Sequence, residues 1–564
     1  ISNYYSHYAS WMSPIVLAIN LAEEKMKGEL NSHEAQVIPN MKEVARIWRV
    51  YLMSEFTDSF GAMPIEAFAG KNPKFNSCKE VYYFMLDELK DAASKIKTDV
   101  KADDKEKECD RAYKFDFGKW VKYANSMRMR LAMRLSEVDA AKAKAEFEDA
   151  AKGNKILTAD EMFAVKENDG WDVFSGVYTR SFDDQVLSST VANLLTNLGG
   201  IKVTEQRSDL ASYVKPANYL GIKYDRHYVA NTDNPTKQYW LDGMPENLDP
   251  RALKIFCLPD DENAENYIDK YNDRTAKDFV LYTVDENGNP IPNKDNPGEI
   301  KIDATRCWNG YPAGSRGGWS PTLAYNQLVT NGYGPGCTLP MLGKDYCKGK
   351  SRIFFAAWET YFLLAEASLY GWNTGTTAKE AYENGIKASF EYFGVSEYVN
   401  DYLNSTNYNR VGTSVKFDHT TEPTAEQMTY VDGYSKEQKT VTYEYPTASK
   451  TLYGKALNDH LTKIITQKFI AQTPYLVLEM WSDFRRLGLP FFEIPANESS
   501  MTGSDMVNAW NPNSWKDGQK WEFYPQRMRY PSSLENADPE GYKQAVELLG
   551  GSDNIITPLW WTGR

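Results

Sequence analysis

Residues 44–64 read VARIWRVYLMSEFTDSFGAMP. Val44, Ile47, Trp48, Tyr51, Leu52 and Phe56 recur at the spacing that brings side chains back to one face of an α-helix, and Gly61 and Pro64 stop the pattern. A second helix is predicted after Asn76 and Ser77, both suited to cap it, with Tyr82, Met85, Leu86, Leu89, Ala93 and Ile96 as its apolar stripe. A third, from Lys119, places Trp120, Ala124, Met127, Leu131 and Leu135 on one side. Lys122, Arg130 and Arg134 fall near its other faces, where a solvated or salt-bridged surface is expected. Tyr4, Tyr5, Tyr8 and Trp11 recur at helix-like spacing, which predicts core packing at the N-terminal end.

From about residue 160 to 350 the pattern changes to short strands and turns. The run 279–284 (FVLYTV), the turn residues around Asn287-Gly288 and then Ile291 predict a β-hairpin. Asp285, Asn287 and Asn289 have the spacing that opens a calcium loop. Pro290 stands where that loop needs glycine and Asn296 where it needs Glu, so the hairpin is the better reading. Helices return with Trp358, Tyr361, Phe362, Ala365 and Leu369, linked through GWNTGT to a partner holding Ala381, Tyr382, Ile386, Ser389 and Phe393. A polar, Thr- and Tyr-rich insertion occupies about 400–450. A last helical pair carries Leu457, Leu461, Ile464, Ile465, Lys468 and Gln472, then Tyr475 to Phe484. Recurring helix pairs without a strict period predict a mostly α, tetratricopeptide-like scaffold at about 12–152, 355–395 and 455–490. A loop-rich, short-strand half at about 155–350, 396–452 and 491–564 completes a single domain over 1–564.

Composition removes several function classes. A net charge of -13 over 564 residues disfavours a nucleic-acid partner, because phosphate binding needs a basic face. No run reaches the roughly 18 to 20 apolar residues of a membrane span, and ISNYYSHYAS is not a signal peptide. The five histidines form no HExxH motif, and there is no Walker A loop, no G-x-S-x-G elbow and no placed G-x-G-x-x-G, so no metal or other cofactor is expected. A carboxylate pair for glycoside hydrolysis stays open among 77 Asp and Glu residues. Of the six cysteines, Cys307, Cys337 and Cys347 share a loop-rich segment, where either a bridge or buried free thiols would fit.

Residues 306–321, RCWNGYPAGSRGGWSP, set Trp308, Tyr311 and Trp319 among glycines with no helical or strand period to bury them. Either these rings wedge into the scaffold as loop anchors, or they stand outward for a ligand.

Several stretches together resemble the SusD/RagB family of outer-membrane nutrient-binding lipoproteins. They are 46–52 followed by 58–64 (DSFGAMP), 120–134 (WVKYANSMRMRLAMR), 249–251 (DPR), 361–367 (YFLLAEA), 479–490 (EMWSDFRRLGLP), 529–533 (RYPSS), 548–553 (LLGGSD) and 559–561 (LWW). The resemblance implies a mostly helical domain on four tetratricopeptide-like pairs. It also implies a surface-exposed lipoprotein of the cell outer membrane that captures oligosaccharides, or in some members peptides, without enzymatic activity, and passes them to a SusC-like TonB-dependent transporter. The sequence lacks the family's leader and lipidated cysteine, so the lipid anchor follows from kinship alone. Asp483, Arg485 and Arg486 match a motif that is structural in the family.

On this reading Trp308, Tyr311 and Trp319 are platforms for the apolar faces of sugar rings. Asn309, Arg316 and Asn326 are hydrogen-bond donors to hydroxyls, and Tyr333 is a further ring of the same kind. Glycines 310, 314, 317 and 318 would supply turns of positive φ that hold the rings outward. One covered sugar face, ~50 Å² of apolar surface, contributes roughly 1 kcal/mol. The function expected is a cell-surface glycan-binding subunit, with a peptide-binding subunit as the alternative and a glycoside hydrolase behind both.

Overall fold

The computed structural model describes residues 2–67, 73–166, 186–228, 232–267, 276–277, 279–282, 298–310, 338–347, 351–494 and 514–564. Its longer helices are α1 (Ser2–Lys25), α2 (Glu34–Phe60), α3 (Cys78–Lys95), α4 (Phe117–Arg134) and α5 (Ala140–Lys152). They are followed by α6 (Ser189–Leu195), α7 (Ala357–Leu369), α8 (Ala378–Phe393), α9 (His460–Gln472), α10 (Val477–Leu487) and α11 (Pro539–Leu549).

The termini of these helices have local causes. Ser77 caps α3 by accepting from Glu80 N, and the Glu80 carboxylate answers by accepting from Ser77 N at 2.7 Å. Asp116 caps α4, starting it at Phe117, two residues ahead of the predicted Lys119. Helix α2 ends at Gly61, as the sequence requires. Gly61 has φ +105°, and a Cβ there would lie 2.6 Å from the Leu549 side chain, so only glycine lets the chain turn beneath α11. The same corner gathers the C-terminal stretches: the Tyr530 hydroxyl donates to Ala62 O at 2.7 Å, Arg527 to Phe60 O at 3.0 Å, and Trp561 is fully buried.

Helix packs on helix in pairs (α2/α3, α4/α5, α7/α8, α9/α10), and α4 meets α7 to join the two groups. This is the mostly α, tetratricopeptide-like scaffold expected from the repeating apolar stripes. Helix α1 covers α2: Tyr8 and Met12 are buried, and Tyr4 and Tyr5 pack on Phe56 and Phe60. Trp11 departs from the core-packing expectation, being 42 % exposed with Leu17 and Leu21 on the same helix also exposed. Among the described residues no helix is long and apolar enough to cross a membrane.

Strands β1 (Phe163–Lys166), β2 (Tyr219–Lys223), β3 (Tyr239–Trp240), β4 (Phe256–Cys257), β5 (Phe279–Tyr282), β6 (Gly298–Ile302), β7 (Met341–Leu342), β8 (Ser351–Phe355), β9 (Glu426–Asp432) and β10 (Gln438–Tyr443) form small sheets in the other half. The hairpin predicted from Phe279 exists as antiparallel β5 and β6. Its described return strand is Gly298–Ile302; Ile291 and the connection, with Asn287-Gly288, lie outside the described residues. The largest sheet has the order β10-β9-β2-β3, with β9 and β10 a hairpin inside the 400–450 insertion and β2 parallel to β9.

Arg130 and Arg134 of α4, expected on a solvated or salt-bridged surface, are salt-bridged, but in the interior. Arg128, Arg130 and Arg134 are all buried. Arg130 grips Glu359 through Nε at 2.6 Å and Nη2 at 2.7 Å, and Arg134 reaches Glu479 at 2.8 Å and Asp58 at 3.3 Å. Arg486 is bidentate on Glu366 (2.6 and 3.0 Å) and touches Asp483, whose second oxygen accepts from Lys468 at 2.7 Å. Arg485 donates instead to Asp58 O and Gln526 O, and its guanidinium lies 3.6 Å from the Trp481 ring centroid. Periodicity misplaced these side chains because a helix clasped on several sides has no polar face to spare, and the cations reach partners on other helices. Cys307 is a buried free thiol donating to Asp303 O, which excludes it from the bridge considered for that segment; Cys337 lies outside the described residues.

Asp483 is the hinge of a testable balance. Burial acts to raise its carboxyl, but Lys468 and Arg486 outweigh that and hold it at about 2. Its folded value lies below the unfolded one, so its contribution is complete above the ordinary carboxylate range and is lost as the pH falls toward 2. Asp483→Asn leaves two buried cations short of an anion and is expected to cost about 3–5 kcal/mol at neutral pH. The deficit should shrink below pH 4, as read from urea-unfolding midpoints at pH 7 and pH 3.

Candidate functional site

The four-stranded sheet presents one face built from β-compatible apolar and aromatic residues. Leu220, Met428 and Tyr443 bury together, ringed by the half-buried Tyr239, Tyr430, Val441 and Tyr445. Strand register sets the arrangement: Val441 lies opposite Met428 in the hairpin, and Lys223 opposite Tyr239. Leu220 and Lys223 both line the cleft above this face, three residues apart rather than two, because β2 is irregular at Gly221. Gly221 has φ +120°, and a Cβ there would stand 2.2 Å from Trp240 O, so no other residue allows β3 to approach.

The cleft is a cavity of about 500 Å³ with Tyr239, Tyr443 and Tyr445 in its walls, together with Lys223, Lys237, Gln238, Lys450 and Lys516. The rings are braced against each other: Tyr239 meets Tyr430 edge to face at 5.6 Å, and Tyr443 meets Tyr445 at 5.1 Å. The Tyr445 hydroxyl donates to Glu426 at 3.0 Å. Asp233, also in the wall, accepts from Ile494 N at 2.6 Å and Gln519 Nε2 at 2.9 Å, while burial pushes its carboxyl up to about 6.

A smaller cavity of about 80 Å³ adjoins the cleft, sharing Leu220, Asn234, Lys237, Gln238 and Tyr239 with it. Three of the residues singled out in the sequence, Trp308, Asn309 and Gly310, line this space. Trp308 does not stand outward as expected: it is 3 % exposed, its indole donates to Thr196 Oγ1 at 3.1 Å, and its ring packs against Phe256. Asn309 spends its amide on the backbone, donating to Leu241 O at 2.8 Å and accepting from Leu241 N at 2.9 Å. Gly310 is needed for a reason other than positive φ, since a Cβ there would fall 2.5 Å from Ser189 Cα at the start of α6. Residues 308–310 thus act as an anchor. Tyr311, Arg316, Trp319, Asn326 and Tyr333 lie outside the described residues.

Sequence reasoning missed Tyr239, Tyr430, Tyr443 and Tyr445. The signal was present in the alternation of EQMTYVD and QKTVTY around Asp432-Gly433, which reads as a hairpin. Asp432 closes that turn by accepting from Tyr434 N and Ser435 N. The pairing of β9 with β2, some two hundred residues earlier, leaves no local trace.

Comparison with known proteins agrees with this architecture. Residues 344–562 match the family model described as Susd and RagB outer membrane lipoprotein, and residues 2–227 match the one described as starch-binding associating with outer membrane. A SusD homologue from Parabacteroides distasonis is 26 % identical, with 98 % of this chain and 87 % of that chain covered and a TM-score of 0.66.

The chain belongs to the SusD-like family.

This SusD-like protein thus falls in a family of outer-membrane lipoproteins, and the outer membrane is its location. Among other solved structures, a chitin-binding SusD homologue from Flavobacterium johnsoniae is 21 % identical over 93 % of this chain and 81 % of that chain, with a TM-score of 0.55. A homologue from Bacteroides vulgatus is 20 % identical over 96 % and 83 %, with a TM-score of 0.56. No curated protein matches the chain.

The bulge carries a direct test. Gly221→Ala is expected to lower stability by about 1–3 kcal/mol, the range for a side chain forced into a sparsely populated backbone region. Because Trp240 O is the atom displaced, thermal melting followed by tryptophan fluorescence should show the lower midpoint together with an altered native-state spectrum.

Proposed function

We propose that this SusD-like protein is a cell-surface glycan-binding subunit that captures oligosaccharides and delivers them to a SusC-type TonB-dependent transporter. The observation that carries the reading is the tyrosine-floored cleft. A sugar ring has an apolar C–H face and an equator of hydroxyls. Tyr239 and Tyr445 offer flat half-buried rings, and Gln238 and the lysines around them offer donors. Family kinship supports carbohydrate as the ligand, one family model being described as starch-binding and one solved relative as chitin-binding.

The chemistry of the walls supports holding rather than cutting. The carboxylates among the described lining residues are Asp233 and Glu444, and both oxygens of Asp233 are already engaged, so the pair is poorly arranged for acid and base roles at a glycosidic bond. Each covered ring contributes roughly 1 kcal/mol, which places affinity in the weak range that release into a transporter requires; a polymer touching several copies gains avidity. From the sequence we keep Tyr311, Trp319 and Tyr333, which lie outside the described residues, as proposed sugar platforms.

Isothermal titration with maltohexaose, chitohexaose and a tryptic peptide mixture tests the class of ligand. Tyr239→Ala and Tyr445→Ala should each weaken glycan binding about 5- to 10-fold, the equivalent of one ring. Trp319→Ala should do the same. Retained affinity in all three variants would remove the proposed face, and binding of peptides alone would replace the ligand class.

A further inference from the structure

The protein carries a net charge of -13, yet the cleft is locally basic. Lys223, Lys237, Lys450 and Lys516 line it, against Asp233 and Glu444. Arg410 adds a fifth cation from the adjoining cavity. The cations differ in what holds them. Lys450 donates to the backbone oxygen of Lys516 at 2.7 Å, and Lys237 to Thr232 O at 2.8 Å. Lys223 stands 3.9 Å from Asp225, with its ammonium 5.8 Å from the Tyr430 ring centroid. Lys450 and Lys516 are exposed and form no ion pair among the described residues. Asp233, which acts on Lys237, and Glu444 offset part of that charge and leave Lys450 and Lys516 in excess.

A concave site with an excess of one sign of charge concentrates ligands of the other sign, even on a protein whose total charge opposes them. The aromatic floor shares the space with these cations, so the two recognition elements address one molecule: a ring to stack and an anion to pair. Resting on the glycan reading above, we propose that the cleft takes an anionic glycan, a saccharide bearing carboxylate or sulfate groups, with Tyr239 and Tyr445 under its rings and Lys450 and Lys516 at its charges. A neutral polymer would leave those two lysines to water. An acidic peptide would satisfy them but would make less use of the tyrosine faces.

The test is titration of the full chain at 50 and 300 mM NaCl with matched-length probes. These are oligogalacturonate (carboxylates), a chondroitin sulfate oligosaccharide (sulfates and carboxylates), maltohexaose and chitohexaose (neutral), and polyglutamate as a polyanion without sugar rings. Preference for either anionic glycan over both neutral ones by about tenfold, the equivalent of two exposed ion pairs, is expected, weakening as salt rises. The anionic probe that binds tighter names the group recognised. The double substitution Lys450→Gln with Lys516→Gln should abolish the preference and its salt dependence while leaving the thermal midpoint unchanged. Equal or tighter binding of neutral glycans overturns the proposal and leaves the glycan reading intact, as does polyglutamate binding as tightly as the anionic glycans. Failure of every saccharide to bind overturns both.

Discussion

Two chains of interior ion pairs hold this molecule in register. Asp58 on α2, Arg130 and Arg134 on α4, Glu359 and Glu366 on α7, Lys468 on α9, and Glu479, Asp483 and Arg486 on α10 pair across helices from which water is excluded. Each ion costs several kcal/mol to bury, and only close, well-aligned partners offset that cost. A helix that slid by one turn would strand a cation in the core. Apolar packing alone tolerates many arrangements of amphipathic helices; the matched charges select one.

The same device ties the loop-rich half to the scaffold. Arg251 and Asp249 are fully buried and grip each other at 2.7 Å. The guanidinium also reaches Gln467 on α9, Ser389 on α8 and the Tyr402 hydroxyl. From that fixed point the chain runs back to the sheet whose face floors the cleft. Residues 308–310 line the smaller adjoining cavity, with the Trp308 indole in the core, Asn309 pairing with the backbone of Leu241, and Gly310 against α6.

How much was legible follows from the range of each interaction. Helix α2 could be read from Val44 to Gly61 because its cause, a stripe at 3.6-residue spacing and a glycine stop, is local. The cap of α3 at Ser77 and the link between α7 and α8 are equally local. Arg130 and Arg134 could not be read: on their own helix they fall where solvent is expected, and they are buried because α7 and α10 supply Glu359 and Glu479. Trp308 misled for the complementary reason. Its aperiodic, glycine-rich surroundings suggest an exposed ring, and the core that receives it, Phe256 and Thr196, comes from distant segments.

By itself, then, the sequence determined the helical repeats, their caps and stops, and through its ordered motifs the SusD-like family, because periodicity and turn chemistry act over a few residues. Tertiary structure alone decided which charges are interior and which tyrosines share a surface. Tyr239, Tyr430 and Tyr445 become neighbours only when β2 pairs with β9 across some two hundred residues, and only because Gly221 lets β3 come close enough to complete the floor.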